Sequence, residues 1–518
     1  MKSHLKQIFI FAAVFFALFN SHVFAQDFNN YKSMPYQASL EILKNSAYVY
    51  LALSLLFFGL SCNWILFSIS SVFLFLSTAV ATYYTWALGI TITPEIIKVV
   101  FHNDVADAFE LVSIKILLWG IFCFFTIFYL LRNYLRNKVN YTLPKWYIFL
   151  QVILLTLSVR FLIKPDFKIF KHFMPWQVTS SVSLYLEKSP QITKTDISKE
   201  FEFSSTPSSD KVVVLVIGES ARYDHFGVNG YERDTTPLLS KTENLFSFYA
   251  NSCASVTYLS VSCILSRHEK DNFDVNLNET SIISIFNKLG FSTSWFATQN
   301  LRKYFENQIG GTFYDEAKTL ILPGGSALFI TNSHDEIILP LFNDFLEKKG
   351  NKFIVIHTFG SHWDFSKRYP ESFNKFQPSL KGLSIGSRDY RDPTNEELIN
   401  TYDNSILYTD YILSNIINRL KDKNSFMIYV SDHAVSLGEN GNYGQGGSAP
   451  EQFEIPFIFW GSNDFWKNNP NFKDSIASKS KTKLSHDYVF HSLLGCSGIN
   501  SNVIDQSLNL CSNIVVAN

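Results

Sequence analysis

The stretch KVVVLVIGES, residues 211–220, decides the fold of the C-terminal part of this 518-residue chain. An apolar, β-branched run that ends in small and polar residues is typical of a buried strand in a parallel sheet. Similar runs recur along the chain, and segments with helical periodicity lie between them. This alternation predicts an α/β domain with a mainly parallel sheet over residues 211–518. The later runs are FSTSWFAT, NKFIVIHTFGSH, SFMIYVSDH and EIPFIFWGS.

Polar side chains follow three of these runs. Glu219 follows the first, His362 follows NKFIVIHTFGS, and Asp432 and His433 follow SFMIYVS. Ligands in open α/β sheets bind beyond the carboxyl ends of the strands, so we expect these side chains at one rim. Their oxygen and nitrogen atoms predict a divalent metal site of a type that suits zinc.

The stretch NSCASVTYLSVSC, residues 251–263, places Thr257 between two cysteines. A bridge between Cys253 and Cys263 would close a loop of about eleven residues and stabilise the fold by roughly 3 kcal/mol. It would also fix the geometry of the loop, which a nucleophile requires. A bound cation can activate a threonine hydroxyl, so we interpret Thr257 as a candidate nucleophile. The alternative is an ordinary structural threonine.

Four of the six cysteines lie in the C-terminal part of the chain, and they allow three pairings. Two local bridges, Cys253–Cys263 and Cys496–Cys511, are the simplest of these. An oxidising compartment would make such bridges durable. The other two cysteines, Cys62 and Cys123, fall in or beside apolar runs and are interpreted as free.

Five apolar runs precede the α/β part, within residues 1–165. A bilayer core needs about 20 apolar residues per helix. We therefore predict an all-α transmembrane bundle of about five helices. The first run has a second interpretation as a signal peptide, with Lys2 and Lys6 before it and a small-residue pattern at Val23–Ala25. The runs are Ile8–Ala25, Ala47–Cys62, Trp64–Leu88, Val112–Leu131 and Trp146–Ile163.

Charge orients this bundle. The connection between the last two runs carries Arg132, Arg136, Lys138 and Lys145, and such basic loops stay in the cytoplasm. Everything after Ile163 then lies outside. A net charge of −1 argues against a nucleic-acid partner. Residues 166–210 are expected to bridge the two parts, through either a helix on the membrane surface or an ordinary connecting helix.

With these residues in place, the chain resembles the bacterial inner-membrane phosphoethanolamine transferases. They belong to the alkaline phosphatase and sulfatase superfamily and include the enzymes behind resistance to the polymyxin colistin. The resemblance covers nearly the whole chain. It rests on four motifs: IGESARYDHFGVNGYERDTTP, SCASVTYLSVSC, HTFGSHWDFSKRYP and YVSDHAVSLGENGNYGQGG.

The resemblance implies a sulfatase-like periplasmic domain with a zinc ion bound by Glu219, Thr257, Asp432 and His433. It implies phosphatidylethanolamine as donor, lipid A or the lipopolysaccharide core as acceptor, and Thr257 as the residue that carries the transferred group. Residues of family-like segments are expected to bind substrate, namely His362, Gln445, Asn103 and Asp107. Many relatives have a histidine at the position of Gln445, and glutamine is a poor zinc ligand, so one zinc site is expected.

Two other functions stay open. A phosphoglycerol transferase of the same superfamily would use phosphatidylglycerol as donor. A non-catalytic membrane protein would keep the fold as a binding module. A sulfatase is disfavoured, because the loop around Thr257 lacks the C/S-x-P-x-R context of the modified sulfatase nucleophile.

Overall fold

The computed structural model divides the chain into two compact units. The helical unit comprises Met1–Phe101, Leu111–Pro190 and Gly386–Asp389, and the sheet unit comprises His102–Glu110, Gln191–Ile385 and Tyr390–Asn518. The residues that the structure describes are 2–21, 23, 35–88, 91–102, 112–138, 144–164, 170, 172–187, 195–203, 210–272, 279–299, 316–322, 334–381 and 393–512.

The helical unit is built from apolar helices. Those described are α1 (Lys2–Phe19), α2 (Pro35–Leu60), α3 (Trp64–Leu88), α4 (Pro94–His102), α5 (Ile114–Lys138), α6 (Lys145–Ile163) and α7 (Trp176–Glu187). Within the described residues, α2, α3, α5 and α6 are long and apolar enough to cross a membrane. The transmembrane bundle is thereby confirmed.

The first two helices differ in extent from the predicted runs. Helix α1 ends at Phe19, well before Ala25, and is a shorter apolar helix than the four spans. Its Phe11, Phe15 and Phe19 are fully buried in the core of the helical unit. Helix α2 begins at Pro35, because the polar residues before the second run continue the helix and make it 26 residues long.

Helices α2 and α6 pack closely in antiparallel directions. Near the start of α6, Gln151 donates its side-chain N–H to Phe58 O at 3.1 Å, near the end of α2. One turn along, a Cβ on Gly59 would lie 2.7 Å from the backbone of Leu155. Glycine at this position therefore allows the two backbones to approach.

The sheet unit contains an eight-stranded sheet. Its strands follow the order β10-β2-β9-β6-β1-β5-β3-β4, and every neighbouring pair is parallel except the two pairs made by β9. The mainly parallel α/β fold is thereby confirmed. The strands are β1 (Val212–Gly218), β2 (Leu245–Asn251), β3 (Ser292–Ala297), β4 (Thr319–Ile321), β5 (Lys352–His357), β6 (Ser425–Ser431), β7 (Ser436–Leu437), β8 (Tyr443–Gly444), β9 (Glu454–Gly461) and β10 (Leu484–Ser485), of which β7 and β8 form a separate hairpin.

Helices fill the connections of this sheet. The described ones are α8 (Thr257–Ile264), α9 (Ile282–Lys288), α10 (Ile338–Leu346), α11 (Asn395–Leu420), α12 (Asn463–Asn468), α13 (Pro470–Ser478) and α14 (Asp487–Cys496). The predicted bridging region over residues 166–210 stays a prediction, and its helix α7 belongs to the helical unit.

The predicted strands lie in the middle of the sheet, and β1 is central. All seven residues of β1 are buried, and it pairs in parallel with β5 on one side and β6 on the other. In this register Gly218 lies beside Ser431, and Ile217 lies beside His357. The residues that follow these three strands therefore emerge at the same rim.

Candidate active site

Three buried ligand groups meet at this rim. His433 Nε2 lies 3.3 Å from Glu219 Oε1 and 3.2 Å from Asp432 Oδ2. One ligand atom from each residue lies within 4.8 Å of the others, and all three side chains are fully buried. The parallel register produces this cluster, since Glu219 directly follows β1 and the other two directly follow β6.

Burial and the neighbouring charges shift the pKa values of all three ligand groups. Burial raises the pKa of Glu219, but His433, His362 and hydrogen bonds from Gln299 and Ser220 lower it to about 2. Burial and the nearby Glu219 carboxylate raise the pKa of Asp432 well above its ordinary value. Burial lowers the pKa of His433 and favours the neutral imidazole, the form that ligates metals. Two carboxylates this close are stable together only with a proton or a cation between them.

The residues fit a divalent metal ion. Within the described part of the chain, Asp432 Oδ2 is buried and accepts no well-aligned hydrogen bond, although His433 Nε2 lies 3.2 Å away. A buried carboxylate oxygen without a partner is costly, and a cation would satisfy it. Carboxylate oxygens and imidazole nitrogens are also both zinc ligands, and a catalytic zinc ion usually has three protein ligands. Glu219, Asp432 and His433 could therefore hold the metal.

The hydroxyl of Thr257 faces this cluster. Its Oγ1 lies 3.2 Å from Glu219 Oε2 and 3.2 Å from His433 Nε2. Thr257 is the first residue of α8, and the residue before it, Val256, gives no side-chain cap to the helix. Backbone N–H groups in an uncapped first turn favour an anion such as a phosphoryl group.

The loop before α8 is held at two points. A disulfide joins Cys253 to Cys263, with the Cα atoms 6.4 Å apart, and so ties the loop to the last turn of α8. The backbone N–H of Cys253 donates to His486 Nδ1 at 3.1 Å, and His486 Nε2 lies 2.9 Å from Ser431 O. His486 therefore links the Thr257 loop to the end of the strand that carries Asp432.

A second supporting residue comes from the end of β3. Gln299 donates its side-chain N–H to Glu219 Oε2 at 3.0 Å and to Thr358 O at 2.9 Å. The sequence interpretation missed this residue, although FSTSWFAT is one of the predicted strands and Gln299 lies just beyond it. The backbone of Glu219 is also closely packed against Gly360. A Cβ on Gly360 would lie 2.8 Å from Glu219 O, so a larger residue would not fit at this position.

The predicted substrate-binding residues fall into two groups. Gln445 Oε1 accepts a hydrogen bond from Ser220 Oγ at 3.1 Å, and the same hydroxyl lies 2.7 Å from Glu219 Oε1. His362 is half-buried and close enough to lower the pKa of Glu219. Asn103 and Asp107 lie outside the described residues.

His225 and His357 are also buried in the sheet unit. His225 Nδ1 lies 2.6 Å from Asp403 Oδ1 on α11. His357, at the end of β5, has no hydrogen-bond partner for either ring nitrogen within the described part of the chain. Burial lowers its pKa to about 4, against the opposing effect of Glu219. A neutral imidazole therefore lies beside the site.

The second disulfide lies at the other end of α14. Cys496, the last residue of that helix, is bonded to Cys511, with the Cα atoms 5.3 Å apart. Both disulfides are the local pairings that were predicted from the sequence as the simplest. Cys62 and Cys123 are free.

Comparison with known proteins identifies both parts of the chain. A family model described as Sulfatase matches residues 211–499, more than half of the chain. A second model, described as Phosphoethanolamine transferase EptA/EptB, matches residues 49–188.

Some individual relatives match nearly the whole length of this chain. The Kdo(2)-lipid A phosphoethanolamine 7''-transferase of Escherichia coli (strain K12) is 27% identical over 97% of this chain and 94% of its own. The lipooligosaccharide phosphoethanolamine transferase A (EptA) of Neisseria meningitidis, an integral membrane protein, has the same fold, with a TM-score of 0.82, 22% identity and 98% of each chain covered. The periplasmic domain of EcEptC from Escherichia coli, solved in complex with Zn, matches with a TM-score of 0.52 and 22% identity, over 61% of this chain and 90% of that one. The chain therefore belongs to the sulfatase family, and its resemblance to the bacterial phosphoethanolamine transferases is confirmed.

Proposed function

We propose that this protein transfers phosphoethanolamine from phosphatidylethanolamine to lipid A or the lipopolysaccharide core, at the periplasmic face of a bacterial inner membrane. The observation that carries the proposal is the position of the Thr257 hydroxyl, 3.2 Å from both Glu219 and His433 in the first turn of a helix. The relatives' names support the group transferred and the acceptor.

One zinc ion would be held by Glu219, Asp432 and His433, with Thr257 Oγ1 as a further ligand. When bound, it supplies positive charge beside the threonine oxygen and the phosphoryl group. A second zinc ion is not proposed. Gln445 stands at the position where many relatives have a histidine, and a glutamine amide ligates zinc poorly.

The first half-reaction transfers the group to the protein. Thr257 Oγ1 donates a hydrogen bond to Glu219 Oε2, which orients the hydroxyl and accepts its proton as the attack proceeds. Thr257 Oγ1 then attacks the phosphorus of phosphatidylethanolamine, the bond from phosphorus to the diacylglycerol oxygen breaks, and diacylglycerol leaves with a proton. A phosphoethanolamine ester of Thr257 remains. Covalent catalysis of this kind divides one difficult transfer into two easier steps.

The second half-reaction releases the group. A phosphate or sugar hydroxyl oxygen of the acceptor attacks the same phosphorus and gives up its proton, the bond from phosphorus to Thr257 Oγ1 breaks, and Thr257 Oγ1 takes up a proton to restore the hydroxyl. His362 and the amide of Gln445 are proposed to contact the phosphoryl oxygens. Asn103 and Asp107 are proposed to contact the donor head group.

The proposal is tested by mass spectrometry of the full-length protein after incubation with phosphatidylethanolamine. We expect a phosphoethanolamine adduct on the peptide that contains Thr257. Thr257→Ser serves as the matched control, because it keeps a hydroxyl at this position, whereas Thr257→Ala should give no adduct.

Two results would overturn the assignment. A phosphoglycerol adduct from phosphatidylglycerol, with none from phosphatidylethanolamine, would favour a phosphoglycerol transferase. Wild-type protein that carries zinc but gives no adduct and modifies no acceptor would favour a binding module. Mass spectrometry of lipids from cells with and without the gene identifies the acceptor.

A further inference from the structure

The helical unit contains a cavity of about 700 Å³ between α2 and α6. This volume lies in the range of sites that bind small ligands. The cavity opens on the outside of the bundle, because Leu51 and Leu157 are 55% and 59% exposed. Its apolar walls are made by Leu51, Leu55, Leu56, Leu154 and Leu157.

The length of the cavity is close to the thickness of one leaflet of a bilayer. Its lining runs along α2 from Lys44 to Leu56, which is about 18 Å at 1.5 Å per residue. The hydrocarbon core of a bilayer is about 30 Å thick, so one leaflet is about 15 Å deep. By the topology predicted from the basic connection between α5 and α6, Lys44 lies at the periplasmic end.

The periplasmic end of the cavity carries positive charge. Lys44 is exposed, and its ammonium lies 6.0 Å from the centre of the Tyr48 ring. Among the described residues, no carboxylate forms an ion pair with it, and Asn45 beside it also lines the cavity. A lysine above an apolar groove suits a phosphate that is attached to a hydrocarbon chain.

A buried hydrogen-bond donor lies at the same end. Trp176 lines the cavity, is 1% exposed and packs 6.0 Å from Phe161, which lies near the end of α6. Its Nε1–H has no acceptor within the described part of the chain. By contrast, Trp119 in the same unit donates its Nε1–H to Ala79 O at 3.0 Å. A buried indole N–H usually has such a partner, so an acceptor is missing at Trp176.

We propose that this groove binds one acyl chain of a glycerophospholipid. The chain lies between α2 and α6, the phosphate pairs with Lys44, and an ester carbonyl accepts the hydrogen bond of Trp176. Trp176 therefore acts as part of a lipid site. An interfacial anchor would instead be exposed, as Trp64, Trp86 and Trp146 are. The site needs no transfer chemistry, and it is independent of Thr257.

The probe is a phosphatidylethanolamine with a photoreactive diazirine in one acyl chain. Full-length Thr257→Ala protein is reconstituted into phosphatidylcholine vesicles that contain this probe and is irradiated, and the labelled peptides are identified. We expect the label to concentrate on the peptides of α2 and α6. Thr257→Ala prevents turnover of the probe, so the result does not depend on whether the protein is a transferase.

Three variants in this background localise the lipid. Ala52→Phe fills the groove and should lower labelling about tenfold. Lys44→Gln and Trp176→Phe each remove one polar contact and should lower it about fivefold. The matched control is Val80→Phe, which enlarges a half-exposed side chain on α3 outside the cavity and should leave labelling unchanged.

Label spread evenly over all the membrane helices would overturn the proposal, as would labelling unchanged in both Lys44→Gln and Trp176→Phe. Competition separates the lipid classes. Unlabelled phosphatidylethanolamine should displace the probe, whereas displacement by lipid A alone would assign the groove to the acceptor and contradict the proposal. A folding defect in Ala52→Phe leaves the other two variants as the test.

Discussion

The two disulfides of the sheet unit resemble each other in sequence and differ in position. They join cysteines 10 and 15 residues apart, so the entropic model gives each about 3 kcal/mol of stabilisation. The Cys253–Cys263 bridge encloses Thr257. The Cys496–Cys511 bridge ties the end of α14 to the C-terminal segment, where Leu510 N donates to Ser492 Oγ at 2.9 Å. The two disulfides are therefore expected to stabilise the fold equally, whereas only the Cys253–Cys263 bridge is expected to affect catalysis.

Helix α14 connects the two regions. Its 10 residues end at Cys496, and His486, which contacts the Thr257 loop, directly precedes it. At 1.5 Å per residue, the helix places Cys496 about 15 Å from His486. The comparison predicts that changes near His486 affect the reaction and that changes near Cys496 affect mainly stability.

The largest effect is expected from removal of the Thr257 hydroxyl. Thr257→Ala should lower kcat by at least about 10³-fold, because the covalent step is lost. Both disulfides remain, so the midpoint of thermal unfolding should change little. The measurement is turnover of a fluorescent phosphatidylethanolamine by the full-length protein. Activity above a hundredth of wild type would remove Thr257 from the mechanism and, with it, the special role of its bridge.

The next effect is loss of the metal. His433→Ala should reduce bound zinc to near zero, because only the two carboxylates would remain of the three side-chain ligands that a catalytic zinc ion usually has. The measurement is metal content by mass spectrometry, together with activity. His268→Ala is the control, because His268 is paired with Glu279 outside the cluster. Chelation of wild-type protein should abolish activity and added zinc should restore it, whereas full zinc content in His433→Ala would contradict the assigned ligands.

Opening the first bridge tests the comparison directly. The double variant Cys253→Ser, Cys263→Ser should lower kcat about tenfold, equivalent to about 1.4 kcal/mol, because the loop no longer holds Thr257 at 3.2 Å from Glu219. KM for the donor should change little, since neither cysteine is among the residues proposed to contact the substrate. Steady-state kinetics on the folded fraction measures both constants. Unchanged kcat would make this bridge a purely structural one.

Substitution of His486 should lower kcat by a smaller factor than opening the Cys253–Cys263 bridge. His486→Ala removes both hydrogen bonds that link Cys253 to Ser431, and kcat should fall about fivefold, or ~1 kcal/mol. His486→Asn keeps an acceptor near the position of Nδ1 and should recover part of this loss. A merely structural role would lower the thermal midpoint of both variants and leave kcat of the folded protein unchanged.

These supporting residues also show what the sequence could reveal. Glu219, Asp432 and His433 were predictable, because each follows a strongly apolar strand and parallel strands deliver their ends to one rim. Gln299 follows the same rule, but a lone glutamine has no distinctive chemistry. His486 follows β10, a two-residue strand with no sequence pattern, and its hydrogen bond with Cys253 joins segments 233 residues apart. Only the tertiary fold brings those segments together.

The smallest effect on activity is expected at the second bridge. Cys496→Ser with Cys511→Ser should lower the thermal midpoint of the full-length protein by about 5 °C, because loss of about 3 kcal/mol acts on the folded sheet unit. At 25 °C kcat should stay within about twofold of wild type, because α14 keeps its other contacts, including the hydrogen bond from Leu510 N to Ser492 Oγ. The Cys253–Cys263 double variant is the matched comparison, since it loses a loop of similar size. A tenfold loss of kcat at the second bridge would mean that α14 transmits its position to His486, and the two bridges would then share one function.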